Sequence, residues 1–555
     1  MRSALLSMNR RWLRFLVLFL ALFLVSASEG AVLYVNTGAA GANNGASWTD
    51  AFRSLQDALS AAASGDEIWV AAGIYRPTTG IDRSISFVLK NGVALYGGFA
   101  GTETSREQRK WDANETVLSG NIGAPGEITD NSYHVVVADG TNSSAVLDGF
   151  TITGGNANGA MDAFKRGGGM HNDGGSPTVR NCSFVSNRAD KYGGGIYNYN
   201  GSPAITNCII SENSSGEYGG GMHIWWDASS PVLTNCTFTS NVAHWGGGVC
   251  NYLSGSPKFI ECVFEQNFAS GYGGGMYNEN GGPEVLRSVF SWNHATLDGG
   301  AMVTKGGAAK TIKDSTFSQN SAGQNGGAMY NHYVFGGLSI TGSTFFGNVA
   351  QAGGGAMYNF SASSPVITNS TFSENGATAG GGIFTTNSSN PVLMNCTFAE
   401  NRADFGGRAL HARQSSNPVA TNSIFWGNGS VFGQIQIENT ATLIAAYSVT
   451  DQPGTGNITT DPVLGALADN GGPTRTHALL AGSAAVNAGT STGAPATDQR
   501  GVARPQGAGV DIGAFEQGGA TPVPVPPSSG GGGCSVGFSP WALLLLLPLS
   551  FLTRR

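Results

Sequence analysis

Apolar and polar positions alternate in runs of two to four residues along most of the chain, and the runs recur in step. Phe184 is followed three residues later by Asn187. The pair returns at Ile210 and Asn213, Phe238 and Asn241, Phe264 and Asn267, Phe290 and Asn293, Phe317 and Asn320, Phe345 and Asn348, Phe372 and Asn375, Phe398 and Asn401, and Phe425 and Asn428. Successive asparagines are 26 to 28 residues apart. Five or six residues after most of them comes a Gly-Gly pair, from Gly193-Gly194 to Gly406-Gly407, often with Tyr-Asn behind it, as in Ile196-Tyr197-Asn198. A fixed period in this range marks a solenoid. The apolar runs are too short and too rich in Val, Ile, Phe and Thr for helices, and Gly, Asn or Ser-Pro breaks them. They predict three short strands per coil, stacked into long parallel sheets at about 4.8 Å spacing. The Phe column then becomes a stack of rings in the core, and the Asn column a ladder of side-chain amides. The Gly-Gly pairs supply positive-φ bends between sheets.

The alternation of Gly-Gly-(Ala/Gly)-(Ile/Met) with Phe-x-x-Asn resembles the repeat of chlamydial-type polymorphic outer-membrane proteins and of bacterial right-handed parallel β-helix proteins. The resemblance implies an all-β, right-handed, single-stranded parallel β-helix. The regular repeats occupy 167–428, and 31–166 reads as an N-terminal cap with the first irregular coils. In that cap Phe52, Leu55, Ala58, Leu59 and Ala62 fall on one face of a predicted helix, with Ser47 or Thr49 as its N-cap. Such a helix covers the open end of a solenoid. The charged stretch Thr104–Thr116 reads as a solvated excursion.

Composition narrows the class. Charged residues are 12%, hydrophobic residues 41%, and glycine 84 of 555. There is no Gly-x-y triplet period, and the apolar residues are periodic, which excludes collagen and plain disorder. The net charge of −7 and the scarcity of lysine give no basic patch for nucleic acid. Cys182, Cys208, Cys236 and Cys262 fill one column that Ser288, Ser315, Ser343, Ser370, Cys396 and Ser423 continue. Such a column wants a small buried side chain; neither a metal nor a disulfide is expected from it. Cys250, where other coils have Tyr, reads as packing too.

The two ends suggest export and anchoring. Residues 1–27 read as a signal peptide, with Arg10, Arg11 and Arg14 ahead of the apolar run Phe15–Val25, and Met8 as an alternative start. Within 429–517, Asp461-Pro462, Asp469-Asn470-Gly471-Gly472, Asp498-Gln499-Arg500-Gly501 and Asp511-Ile512-Gly513 are similar to the C-terminal module called choice-of-anchor Q. Its polar residues Asp469, Asn470, Arg475, His477, Asp498, Arg500, Asp511 and Glu516 either form a site or tie down the loops of a terminal cap, and the second reading is favoured. A Pro/Gly-rich linker, 518–533, leads to 534–555, where an apolar stretch ends in Arg554-Arg555. That layout resembles bacterial sorting tails with Gly532, Gly533 and Cys534 ahead of the hydrophobic segment. The resemblance implies processing at the membrane, with membrane contact through the tail alone and a surface linkage at Cys534. The expected location is the cell surface, the outer membrane or outside the cell.

For chemistry the repeats offer little. Glycoside hydrolysis needs paired carboxylates, and lyase chemistry needs a base beside bound Ca²⁺. Asp190, Asp227, Asp298 and Asp314 are scattered and share no column. No catalytic residue, metal ligand or cofactor is therefore assigned. Tyr192, Tyr218, Trp245 and Tyr272 each precede a Gly-Gly, and Trp226 falls in the next turn with Tyr199, Trp225, Tyr252, Tyr333 and Phe360. These aromatics either clad the bends or form an edge for sugar rings or another protein. The expectation is a surface adhesin or cell-envelope carbohydrate-binding protein without catalysis. Its partners would be a polysaccharide or a surface protein of a host or neighbouring cell, besides the export and processing machinery. The alternative is a polysaccharide lyase or glycoside hydrolase of the pectate-lyase-like β-helix type.

Overall fold

Each repeat closes one coil because its strands are too short to bury a face alone and must stack on the coils above and below. The computed structural model describes residues 30–518, apart from 125, 227, 254, 308 and 430–432. The expected signal peptide and the tail with Gly532, Gly533 and Cys534 lie outside the described residues. The coils form a right-handed parallel β-solenoid of about 14 turns. Among the described residues no helix is long and apolar enough to cross a membrane.

A coil carries four strands, not the three predicted from the runs. One coil reads Met276–Glu279, Glu284–Leu286, Val289–Ser291 and His294–Ala295. These belong to sheets of 13, 15, 13 and 10 strands, all parallel, named here sheets 4, 1, 2 and 3. The strands of sheet 3 are mostly two residues long, too short to show as a run in the sequence.

The predicted columns are present. From Phe238 to Phe425 the rings stack at 4.3–4.9 Å with interplanar angles of 2–11°. Each Asn amide donates to the Oδ1 of the next coil's Asn at 2.9–3.1 Å, from Asn187 to Asn428. The same amide nitrogen also donates to a backbone carbonyl of the coil before, as Asn293 does to Phe264 O at 2.8 Å. That satisfies a column of buried polar groups which would otherwise cost about 1–3 kcal/mol each. The first glycine of each pair has φ of 62–79°. A Cβ at Gly219 would sit 2.2 Å from Met222 O, so both backbone sign and space require glycine there. The column cysteines and Cys250 are buried and free.

The ends depart from expectation in three respects. The helix spans Leu55–Ala61 and lays Leu55, Ala58 and Leu59 on the core, but its N-cap is Ser54; Ser47 instead bonds Asp50. The charged stretch is not loose. Arg106 pairs with Glu67 at 2.7 Å, and Arg109 with the buried Asp148 at 2.9 Å, fastening it across two coils. The segment after Asp461 does not cap the end. It runs back along the outer face of sheet 2: Thr344 donates to Arg475 O, Thr371 to Gln499, Asn395 to Asp511 O, and Ala514 N donates to Thr397. Arg500–Asp498 at 2.7 Å and Arg504–Glu516 at 2.8 Å, all buried, hold its loops together. His477 reaches Ser373 at 3.0 Å. Asp498, Arg500, Asp511 and Glu516 thus tie the loops of this segment, though it lies along sheet 2 and not over the end as a cap.

Candidate aromatic groove

In the strands of sheet 4 the first and third residues point into the core and the second and fourth point out. The outward second positions form a floor: Tyr197, His223, Cys250, Tyr277, Val303, Tyr330, Tyr358 and Phe384 in successive coils. The fourth positions form one wall: Tyr199, Trp225, Tyr252, Glu279, Lys305, His332 and Phe360. The residues just before the Gly-Gly pairs form the other. There Tyr192, Tyr218, Trp245 and Tyr272 stand in register. Backbone hydrogen bonds from each following glycine extend the column to Asp298 and Asn325.

Four of the five aromatics singled out in the sequence therefore line one wall, half-buried. Tyr192 and Tyr218 are 5.5 Å apart and tilted; Tyr218 and Trp245 are stacked at 4.5 Å. Trp226 is not in this row. It follows the fourth position of its strand at φ 85°, is 47% exposed, and lies 5.9 Å from Tyr199 on the opposite rim. Cys250, Tyr277 and Val303, packed against Tyr218, Trp245, Tyr252, Tyr272 and Tyr330, form an apolar cluster separate from the solenoid core. The rings thus clad the bends and wall a groove.

The groove deepens into a cavity of about 360 Å³ where Val303 leaves the floor low between Tyr277 and Tyr330. Asp298 and Tyr272 stand on one side, and Glu279, Lys305 and His332 on the other. A ladder this regular leaves little room for a pocket. One small floor residue and a change of wall residues in two coils make the room. Tyr277 donates to Glu279 Oε2 at 2.6 Å, and Lys305 reaches Glu279 Oε1 at 3.0 Å. Asn325 donates its backbone N–H and its amide to Asp298 Oδ1, both at 2.9 Å. Burial pushes the Asp298 carboxyl up from its ordinary value, more than the Asn325 hydrogen bonds lower it. Burial, then Lys305, holds His332 below the usual imidazole range. Burial, then Glu279, raises Tyr277.

Asp298 had been set aside as scattered, yet it occupies the aromatic column. Glu279, Lys305, Tyr277, Tyr330, Val303 and His332 were missed. The signal that finds them is the offset from Gly-Gly: one residue before it, and three and five residues after its second glycine in that coil. No group of three or more His, Cys, Asp or Glu suited to a metal occurs among the described residues.

A profile of the right-handed β-helix region matches residues 126–290 and 275–448, more than half of the chain. The chain belongs to the right-handed β-helix family. Three solved structures resemble this β-helix protein in fold. Pectate lyase Pel9A is 15% identical, with 88% of this chain and 97% of that one covered and a TM-score of 0.38. The catalytic unit of a thermostable GH87 α-1,3-glucanase from Streptomyces thermodiastaticus strain HF3-3 is 15% identical, over 73% and 65%, with a TM-score of 0.32. A rhamnogalacturonan lyase is 10% identical, over 82% and 96%, with a TM-score of 0.23. No curated protein matches the chain.

Proposed function

We propose that this β-helix protein is exported, is held at the cell surface through its C-terminal tail, and binds polysaccharide along the groove of sheet 4. The observation that carries the reading is the coincidence of an aromatic wall with a cavity of about 360 Å³ on one face of a rigid ladder. Aromatic rings, tyrosine hydroxyls and a few fixed polar groups in a concave site suit a ligand with apolar ring faces and many hydroxyls. The export signal, the anchor-like module and the Gly532-Gly533-Cys534 tail support the surface location.

Affinity electrophoresis tests it. The protein is run in native gels cast with a panel of polysaccharides, and retardation is compared with that of Trp245→Ala and Trp226→Ala. Retardation that Trp245→Ala cuts by about tenfold and Trp226→Ala weakens less is the expected result. Equal migration in every gel overturns the binding reading.

A second reading, glycan cleavage, is favoured by one observation: Asp298 and Glu279 line the same cavity from opposite walls. Two carboxyls across a sugar site are what acid–base hydrolysis uses. Clearing of the polysaccharide in the same gels, lost in both Asp298→Asn and Glu279→Gln, would establish it.

A further inference from the structure

Resting on the binding reading, we infer that the groove selects a neutral, hydroxyl-rich polysaccharide and turns away acidic ones. The cavity holds two carboxylates, Asp298 and Glu279, and one ammonium, Lys305. That ammonium is taken by Glu279 at 3.0 Å and is not free to meet a substrate carboxylate. His332, the remaining basic side chain in the cavity, is held toward its neutral form by burial and by Lys305. Asp298 is left as the unbalanced charge.

Hydrogen-bond polarity points the same way. Asn325 occupies only Oδ1 of Asp298, and Oδ2 has no partner among the described residues. An ionised carboxylate only accepts. A sugar hydroxyl can donate to it, whereas a uronate or sulfate brings a second acceptor and a second negative charge. At the aromatic end of the groove the cations are also engaged: Arg166 and Lys191 both pair with Asp162, and Glu217 lies beside Tyr192. Among the described residues the cavity offers no unpaired cation. The walls add one residue per coil in a straight row, which suits an extended chain lying along the solenoid.

Matched pairs of gels test this, because members of a pair share a backbone and differ in charge. Hydroxyethylcellulose is set against carboxymethylcellulose, esterified against free polygalacturonate, and agarose against sulfated agarose. In the pair that binds, the neutral member should bind about tenfold more tightly, equivalent to about 1.4 kcal/mol. The full-length protein carries a net charge of −7, which alone disfavours polyanions. Asp298→Asn separates local from global repulsion: it changes the net charge by one unit and should recover most of the affinity for the acidic member. Its melting temperature is recorded beside the gels. Equal or stronger retardation by an acidic member overturns the inference and leaves the binding reading standing. An Asp298→Asn variant that folds but gains nothing on the acidic member also overturns it. Retardation by no polysaccharide removes the binding reading and the inference together.

Discussion

Two columns of aromatic rings climb the same solenoid, one inside and one outside, and they differ in regularity. The inner column runs from Phe238 to Phe425 without a break, its planes within 2–11° of parallel. The outer column runs through Tyr192, Tyr218, Trp245 and Tyr272, with neighbouring planes at 48° and 24° where they pair, and then gives way to Asp298, Asn325 and Gly353. Both repeat once per coil, so the backbone imposes the same spacing on each. Inside, close packing accepts only one shape per site, since a missing ring leaves a cavity and a larger one strains its neighbours. Outside, solvent fills what a side chain leaves, and the column is free to change. Uniformity therefore marks what holds the ladder up, and the place where uniformity fails is where the groove deepens and gains charge.

The sharpest way to break the comparison is to remove one ring from each column. Phe290→Ala should cost about 3–5 kcal/mol, because the ring is fully buried and both neighbours lose a face. The expected result is a large fall in melting temperature, or loss of soluble protein. The Asn ladder comes next. Asn293→Leu keeps the volume but orphans the backbone N–H of Asn267, takes one of the two acceptors from the Asn267 amide, and removes the Asn293 donor from the carbonyl of Phe264. The cost should be about 3 kcal/mol, read as a lowered melting temperature, and Asn293→Gln should not restore it because the longer side chain misplaces the amide.

The inner column was legible in the sequence for the reason that makes it uniform. A Phe and an Asn fixed three residues apart in nine coils of ten, with Ile210 in the other, leave one fold for their periods, and the structure returns both ladders. The fourth sheet was not legible, because two residues such as His294–Ala295 make no pattern of their own. The return of the chain over sheet 2 was not legible either. Its contacts pair residues over a hundred positions apart, such as Thr344 with Arg475 and Asn395 with Asp511, and no local period encodes them. The wall of the groove was half visible: Tyr192, Tyr218, Trp245 and Tyr272 share an offset from Gly-Gly. Asp298 shares it too, but a search for like residues passes over the one that differs. Glu279 and Lys305 meet only because adjacent coils place them side by side.

A titration sharpens the comparison by asking how dry the outer column is. Burial, then Arg166, brings the imidazole of His223, on the groove floor, down to about 3. Burial, then His171, brings that of His134 down to about 4. In the unfolded chain both take up a proton near pH 6.5. The folded pKa lies below the unfolded one, so the neutral rings favour folding in full above pH 6.5, and that contribution is lost as the pH falls toward 4 and below. At pH 5 the loss is about 2 kcal/mol for each histidine. Melting temperatures measured from pH 7.5 to pH 5 should fall accordingly. His223→Phe, a ring already used in the same column at Phe384, should flatten part of that slope. An unchanged slope would mean that water reaches the floor beneath the outer rings.

The smallest effect on stability, and the most telling on function, is expected at Trp245. Its ring stacks on Tyr218 at 4.5 Å, so Trp245→Ala removes an aromatic pair worth about 0.5–1.5 kcal/mol beyond its area. Solvent and the neighbouring tyrosines can fill the space, which Phe290→Ala does not allow. The melting temperature should move by only a few degrees, while polysaccharide retardation falls by about tenfold, equivalent to about 1.4 kcal/mol. If instead Trp245→Ala destabilises as much as Phe290→Ala and binding falls only in step with folding, the outer column is cladding and the groove lies elsewhere. If binding falls while the melting curve holds, the two columns have been separated: one ring per coil holds the ladder inside, and its counterpart outside meets the ligand.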